Sequence, residues 1–173
     1  MPEAGPVPDP SVSPGRSDLG GGHVLPIVLY PDPVLWTRCE PAGLLTNAEA
    51  GQLVRDLLAT MYAASGRGLA APQVGVLRRV FVMDAGWKDG APAPLVLLDP
   101  EILARSDEGA VEAESCLSIP GNPAAMHRAA SVQVGGYDLD GLWHRHLLSG
   151  PAARIAQHEA DHLDGRLIGD PPA

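Results

Sequence analysis

QHEADHLDG, Gln157–Gly165, sets two histidines four residues apart with a glutamate directly after the first. On a helix, positions i and i+4 project from one face, so His158 and His162 converge while Glu159 leans toward the same side. This is the H-E-x-x-H pattern of a metal site. Two imidazoles do not complete such a site, because a catalytic divalent ion usually takes three protein ligands and keeps one position for water. The longer pattern H-E-x-x-H-x-x-G-x-x-H fails here: Gly165 fits it, but the next histidine would fall on Ile168. A glutamate on a later helix fails too, since RLIGDPPA after Gly165 contains none. The third ligand is therefore sought upstream. The alternative for the histidines is a hydrogen-bonded pair in the core, against which Glu159 between them weighs.

The flanks of the motif define its helix. SGP puts Pro151 in a first turn and Gly165 stands where a C′ glycine belongs. Ala152, Ile155, His158, Glu159 and His162 then share one broad face, so the imidazoles emerge from a surface that packs inward. A second helix is predicted over TNAEAGQLVRDLLATMYAA, where Thr46 and Glu49 form a capping-box pattern and Leu53, Leu57 and Met61 repeat at helical spacing. It stops at SGRG. VLRRVFVMD and PLVLLDPEIL read as short buried strands, with Arg78-Arg79 as the solvated end of the first. AASVQVGGYDLDGLWHRHLL carries Asp140-Gly141 between alternating segments, the signal of a type I′ hairpin. HVLPIVLYPDPVL, with its two late prolines, suits an edge strand or an extended lead-in. Strands and hairpins around two helices, without a βαβ repeat, indicate α+β: short, mostly antiparallel sheets packed around the H-E-x-x-H helix.

At 173 residues and 45% hydrophobic content the chain reads as one globular domain with a substantial core. Residues 1–23, dense in Pro, Gly and Ser, are expected to form a disordered tail, which leaves 24–173 as the domain. No apolar run approaches the roughly 18 residues of a membrane span. The N-terminus lacks the basic and apolar regions of a secretory signal, so a cytoplasmic setting is expected. A net charge of −9 argues against broad nucleic-acid binding, which needs clustered Arg and Lys. The two cysteines, Cys39 and Cys116, make no disulfide framework, and a reducing compartment would keep either available to a metal.

Cys116 lies in AESCLSIPG, 42 residues before His158. Taken alone it reads more readily as a small buried hydrophobe than as a ligand. Cys39, in WTRCEPAG, has no second motif near it and is read as a buried hydrophobe. GRGLAAPQVG, likewise, is by itself only a helix-to-strand connector.

Taken together, GRGLAAPQVG, ESCLSIP and QHEADHLDG resemble, in this order, the three signature motifs of peptide deformylases, and IVLYPDPVL is similar to the family's opening strand. The likeness spans about residues 24–168. It implies a monomeric α+β metallohydrolase that removes the formyl group from the N-terminal methionine of new polypeptides. Carried onto this chain, it makes Cys116, His158 and His162 the metal ligands, Glu159 the acid/base, and Gln73 with the Leu117 backbone N–H the oxyanion partners. Gly66, Arg67 and Gly68 would border the substrate. The metal implied is iron(II), although the same donors accommodate zinc, nickel or cobalt. Two positions depart from the family's usual pattern: Ser115 stands where glycine is usual, and Arg67 where a branched apolar residue typically lines the methionine pocket. Many bacterial members also add a basic C-terminal helix that docks on the ribosome. The ending RLIGDPPA leads to the expectation of weak or no docking through that end. A related amidase for another N-formyl or N-acyl compound, and a non-catalytic metal-binding protein, are the alternatives.

Overall fold

The computed structural model describes residues 19–170. Two helices, α1 (Asn47–Ala63) and α2 (Gly150–Leu163), are combined with seven strands: β1 (Gly68–Ala70), β2 (Val80–Met83), β3 (Leu95–Arg105), β4 (Gly109–Cys116), β5 (Ile119–Ala129), β6 (Ser131–Tyr137) and β7 (Trp143–Ser149). Strands β1-β2-β3-β6-β7 form one sheet in that order, and β4-β5 a second, two-stranded one. Every pairing among these strands is antiparallel. This is the α+β arrangement expected. Among the described residues, no helix is long and apolar enough to cross a membrane.

The period-two alternation of a strand explains the layering. Phe81 and Met83 of β2 and Leu97 of β3 pack with Ala153, Ala156 and Leu163 of α2. Their neighbours Val80, Val82 and Val96 pack instead with Leu53, Val54, Leu57 and Met61 of α1. One helix thus covers each face of the sheet, and β2 is buried along its whole length. Gln157 fixes α2 further: its side chain accepts from Ala129 N–H and donates to Ala129 C=O, both at 3.0 Å.

Helix α1 begins as expected, with Thr46 and Glu49 completing a capping box. Pro151 lies in the first turn of α2, and Gly165, just past the Asp164 cap, has φ +71°. Of the two forms expected for the segment before Pro31, it takes the extended lead-in, held by Val28 N–H to Gln73 C=O and Tyr30 N–H to Ser118 C=O, each 2.8 Å. Other expectations are corrected. The Asp140-Gly141 turn is not type I′, which needs positive φ at both central residues. Gly141 has φ +77° while Asp140 is not in that region. Asp138 Oδ1 instead accepts from the N–H groups of Asp140 and Leu142, both at 2.9 Å, and shapes a longer loop. Arg79 is not simply solvated, since it donates to Asp164 at 2.9 Å and to Leu163 C=O at 3.1 Å.

Of the stretch 1–23 expected to be a tail, residues 1–18 lie outside the described residues. Residues 19–23 run along α1: Leu19 packs on the α1 side of the core and His23 N–H donates to Asp56 at 2.8 Å. The β4-β5 hairpin was not anticipated from the sequence. Its strands are largely exposed, and β5 contains Pro120 and Pro123.

Candidate active site

Helix α2 supplies His158 and His162, and the last residue of β4 supplies Cys116. Their ligand atoms form a single group within 4.8 Å of one another. His162 Nε2 lies 3.2 Å from His158 Nε2 and 3.5 Å from Cys116 Sγ. Tetrahedral coordination at ordinary metal–nitrogen and metal–sulfur distances would separate two nitrogens by about 3.3 Å and a nitrogen from a sulfur by about 3.5 Å. The two separations made by His162 therefore match those of a tetrahedral divalent ion, and the Cys116–His158 pair belongs to the same 4.8 Å group. Cys39 stands apart: it is buried in the core beside α2, and burial pushes its thiol up to about 11.

The electrostatics suit a cation at this place. Burial opposes charge on His158, but Cys116, Glu114 and Glu159 outweigh it and raise the imidazole to about 10. A pocket that attracts a proton so strongly will also attract a metal ion. Burial, with His158 and Arg128, pushes His162 well below its ordinary value, so its imidazole is neutral and keeps a lone pair to donate. Glu159 is buried directly beside the ligands. Burial raises its carboxyl to about 7, and Oε2 has no hydrogen-bond partner among the described residues. A buried oxygen left unpaired is costly unless something else engages it.

Gln73 is held in a 3₁₀ turn, Ala71–Val74, where its Oε1 accepts from Ala70 N–H at 3.0 Å. Its amide then points at the cluster, with Nε2 donating to Ser118 Oγ at 3.1 Å and lying 3.6 Å from Cys116 Sγ. Leu117 follows Cys116 in the β4-β5 turn, which brings its backbone beside the same group. Gly66 lies against Leu117: a Cβ there would come within 2.8 Å of Leu117 Cδ1. Gly68 lies against the acid, because a Cβ there would run into Glu159 Oε1. Arg67, between them, borders a cleft of about 170 Å³ together with Gly68, Glu114, Ser115, Arg154, Ile155, His158 and Glu159. Ser115 sits at an irregularity between Glu114 and Cys116, with no positive φ that would demand glycine. Each residue singled out in the sequence thus lies at this one place.

Glu114, Arg128 and Ser118 were not singled out. Glu114 is buried and receives His158 Nδ1 at 2.9 Å, Arg128 at 2.8 and 2.9 Å, and Arg154 at 2.9 Å. Burial would raise its carboxyl, but Arg128 and His158 hold it at about 2. A carboxylate can only accept, so His158 Nδ1 is the donor and Nε2 is the nitrogen an ion would engage on displacing its proton. Strand alternation held the signal for Glu114: two residues before Cys116, it shares that residue's face of an extended chain.

A thiolate and two imidazoles on an α+β scaffold, with a buried carboxylate and an amide donor alongside, define a metal-dependent hydrolase. A sequence profile described as polypeptide deformylase matches residues 24–171. The chain is 42% identical over 145 residues to a peptide deformylase of Acidobacterium capsulatum, with 84% of each chain covered. It is 45% identical over 148 residues to one of Alkalilimnicola ehrlichii, covering 85% of this chain and 81% of the relative. Among solved structures, the peptide deformylase of Thermotoga maritima superposes with a TM-score of 0.77 at 37% identity, covering 84% of this chain and 95% of that one. A class I type b peptide deformylase of Acinetobacter baumannii with Met-Ala-Ser bound gives 0.78 at 34% identity, covering 86% and 98%. The chain belongs to the peptide deformylase family, metal-dependent hydrolases that remove N-formyl groups from nascent peptides.

Proposed function

We propose that this chain hydrolyses the formyl amide of N-formyl-methionyl peptides at the Cys116–His158–His162 cluster, with Glu159 moving the proton. The observation that carries this reading is the unpartnered Glu159 Oε2, buried beside three converged ligands. A site that only stored or structured a metal would have no use for that carboxylate. A divalent ion bound there lowers the pKa of water from about 15.7 to about 7 and polarises a carbonyl oxygen. Cys116, His158 and His162 would hold it, and Glu114 would keep His158 in the required tautomer. Glu159 would accept a proton from the attacking water and return it to the leaving amine. Gln73 Nε2 and the Leu117 N–H would donate to the formyl oxygen as it gains charge, where loss of one donor typically costs about 2.7–4 kcal/mol of barrier.

Iron(II) is the metal proposed, with zinc, nickel and cobalt compatible with the donors. The binding of Met-Ala-Ser by the Acinetobacter relative supports a formylated tripeptide as substrate. A net charge of −9 supports action as a monomer on formyl peptides, without strong attraction to ribosomal RNA. The unpaired thiols suit the reducing cytoplasm. Release of formate from formyl-Met-Ala-Ser by iron-loaded protein, with acetyl-Met-Ala-Ser left intact, is the expected result. Equal hydrolysis of both peptides, or of neither, would overturn the reading.

A further inference from the structure

The backbone of Gly66–Gly68 touches two parts of the site at once. Gly68 abuts Glu159 Oε1 and Gly66 abuts the Leu117 side chain, with no room for a Cβ at either place. A shift of this segment would therefore move the acid or the turn that carries the Leu117 N–H. Glycines restrain themselves poorly, because without a Cβ they reach conformations closed to other residues. Strand β1 adds little, since it lies at the edge of its sheet and, among the described residues, pairs with β2 alone. Something else has to hold the segment still.

The loop between β2 and β3 does so. It is braced internally: the buried Asp84 side chain accepts from Tyr62 O–H at 2.7 Å and from Ala93 N–H at 3.0 Å. Gly86 C=O accepts from the N–H groups of Asp89 and Ala91 at 3.0 and 3.1 Å. A 3₁₀ turn, Trp87–Asp89, sets the Trp87 ring in a T-shaped contact with Tyr62, with centroids 5.2 Å apart and planes at 86°. The one polar atom of that indole lands on the glycine segment, where Nε1–H donates to Gly66 C=O at 2.8 Å. Gly66 is buried, and a buried carbonyl needs a donor. Asp84 N–H donates to Arg67 C=O, also at 2.8 Å, and ties down the next residue. Arg67 and Asp89 add an exposed pair at 3.3 Å, of a kind that contributes little.

We infer that Trp87 is a positioning residue for the reaction: its indole N–H fixes Gly66–Gly68 against Glu159 and Leu117, so that proton transfer and the oxyanion contact keep their aim. This rests on the deformylase reading and extends it to a loop outside the three motifs. Among the described residues the indole N–H has Gly66 as its partner, so Trp87 acts through the glycine backbone and not on the acid directly. A ring that only filled space beside Tyr62 would act on stability and leave turnover per folded molecule intact.

Trp87→Phe keeps a ring and removes the N–H. Trp87→His restores a donor, because the five-membered rings overlay and Nε2–H falls where the indole N–H stood. Trp36→Phe, which removes an exposed indole N–H bonded to Asp170 at 3.5 Å, is the matched control. Formate release from formyl-Met-Ala-Ser is measured on metal-loaded protein and normalised to metal content. Trp87→Phe should lose about 10- to 100-fold in kcat, the scale of a misplacement of about 1 Å, with KM within about twofold of wild type. Trp87→His should recover most of that loss, and Trp36→Phe should match wild type. Hydrogen–deuterium exchange at Gly66–Gly68 should quicken in Trp87→Phe and return toward wild type in Trp87→His. A near-normal kcat in Trp87→Phe, a loss carried by KM, or an equal loss in Trp87→His or Trp36→Phe would overturn the inference. If wild type turns over no formyl peptide, the deformylase reading fails and exchange alone decides on Trp87. Faster exchange at Gly66–Gly68 in Trp87→Phe than in Trp36→Phe then supports its hold on the segment, and equal exchange refutes it.

Discussion

His158 Nδ1 donates to Glu114 Oε2 at 2.9 Å, and the opposite edge of the same imidazole puts Nε2 3.2 Å from His162 Nε2. One carboxylate thereby sets the tautomer and the aim of a ligand that comes from another element. Glu114→Gln keeps the shape but not the charge, and can present its amide nitrogen to His158. Loss of such a supporting partner typically lowers metal affinity 10- to 100-fold. A chelator-competition titration against wild type should show a drop of that size, and unchanged affinity would remove Glu114 from the site.

Glu159→Gln should keep a full complement of metal and lose about 10²- to 10⁴-fold in kcat on formyl peptides. Stopped-time formate release, normalised to metal content, measures it. A metal-loaded variant with nearly normal kcat would contradict the proton-transfer role.

Gly68→Ala should be far worse than its single methyl group suggests. The new Cβ would meet Glu159 Oε1 and lie 2.8 Å from Ile155 Cγ2, so the acid or the strand must move. Overpacking of this kind costs about 1–3 kcal/mol. The expected result is a lower Tm and a kcat loss approaching that of Glu159→Gln, with metal retained because no ligand is touched.

The chain's own patterns made much of this visible in advance. The Thr46/Glu49 pair located α1, Pro151 and Gly165 bounded α2, and the apolar runs around Val82 and Val96 located β2 and β3. The β4-β5 hairpin was not visible, because its strands are mostly exposed and lack a continuous apolar face. Glu114 was hidden for a different reason. Alternation puts it on the face of Cys116 once β4 is recognised, but its partners Arg128, Arg154 and His158 are 14, 40 and 44 residues away, and nothing local shows that they meet there. The Asp140-Gly141 turn was misread because the Asp138 side chain, rather than the dipeptide, sets the loop.

Asp138 also gives a pH dependence remote from the metal. Burial alone would raise its carboxyl, but the Leu142 N–H, His144 and the Asp140 N–H together hold it below the ordinary range. A carboxyl lowered in the folded state contributes stability above its unfolded value of about 3.9, and that contribution is lost as pH falls through the folded value. Asp138→Asn should therefore lower Tm at pH 7 and narrow to little difference from wild type below about pH 3. A Tm difference that stays constant across that range would contradict the assignment.

Metal content bears most directly on the central claim, that Cys116, His158 and His162 hold one catalytic ion. Wild type, Cys116→Ala and Cys39→Ala would be purified without oxygen and analysed for metal per chain, with formate release measured on the same samples. The expected result is one ion per chain and full activity in wild type and Cys39→Ala, with both lost in Cys116→Ala. Equal metal content in the two cysteine variants would contradict the account.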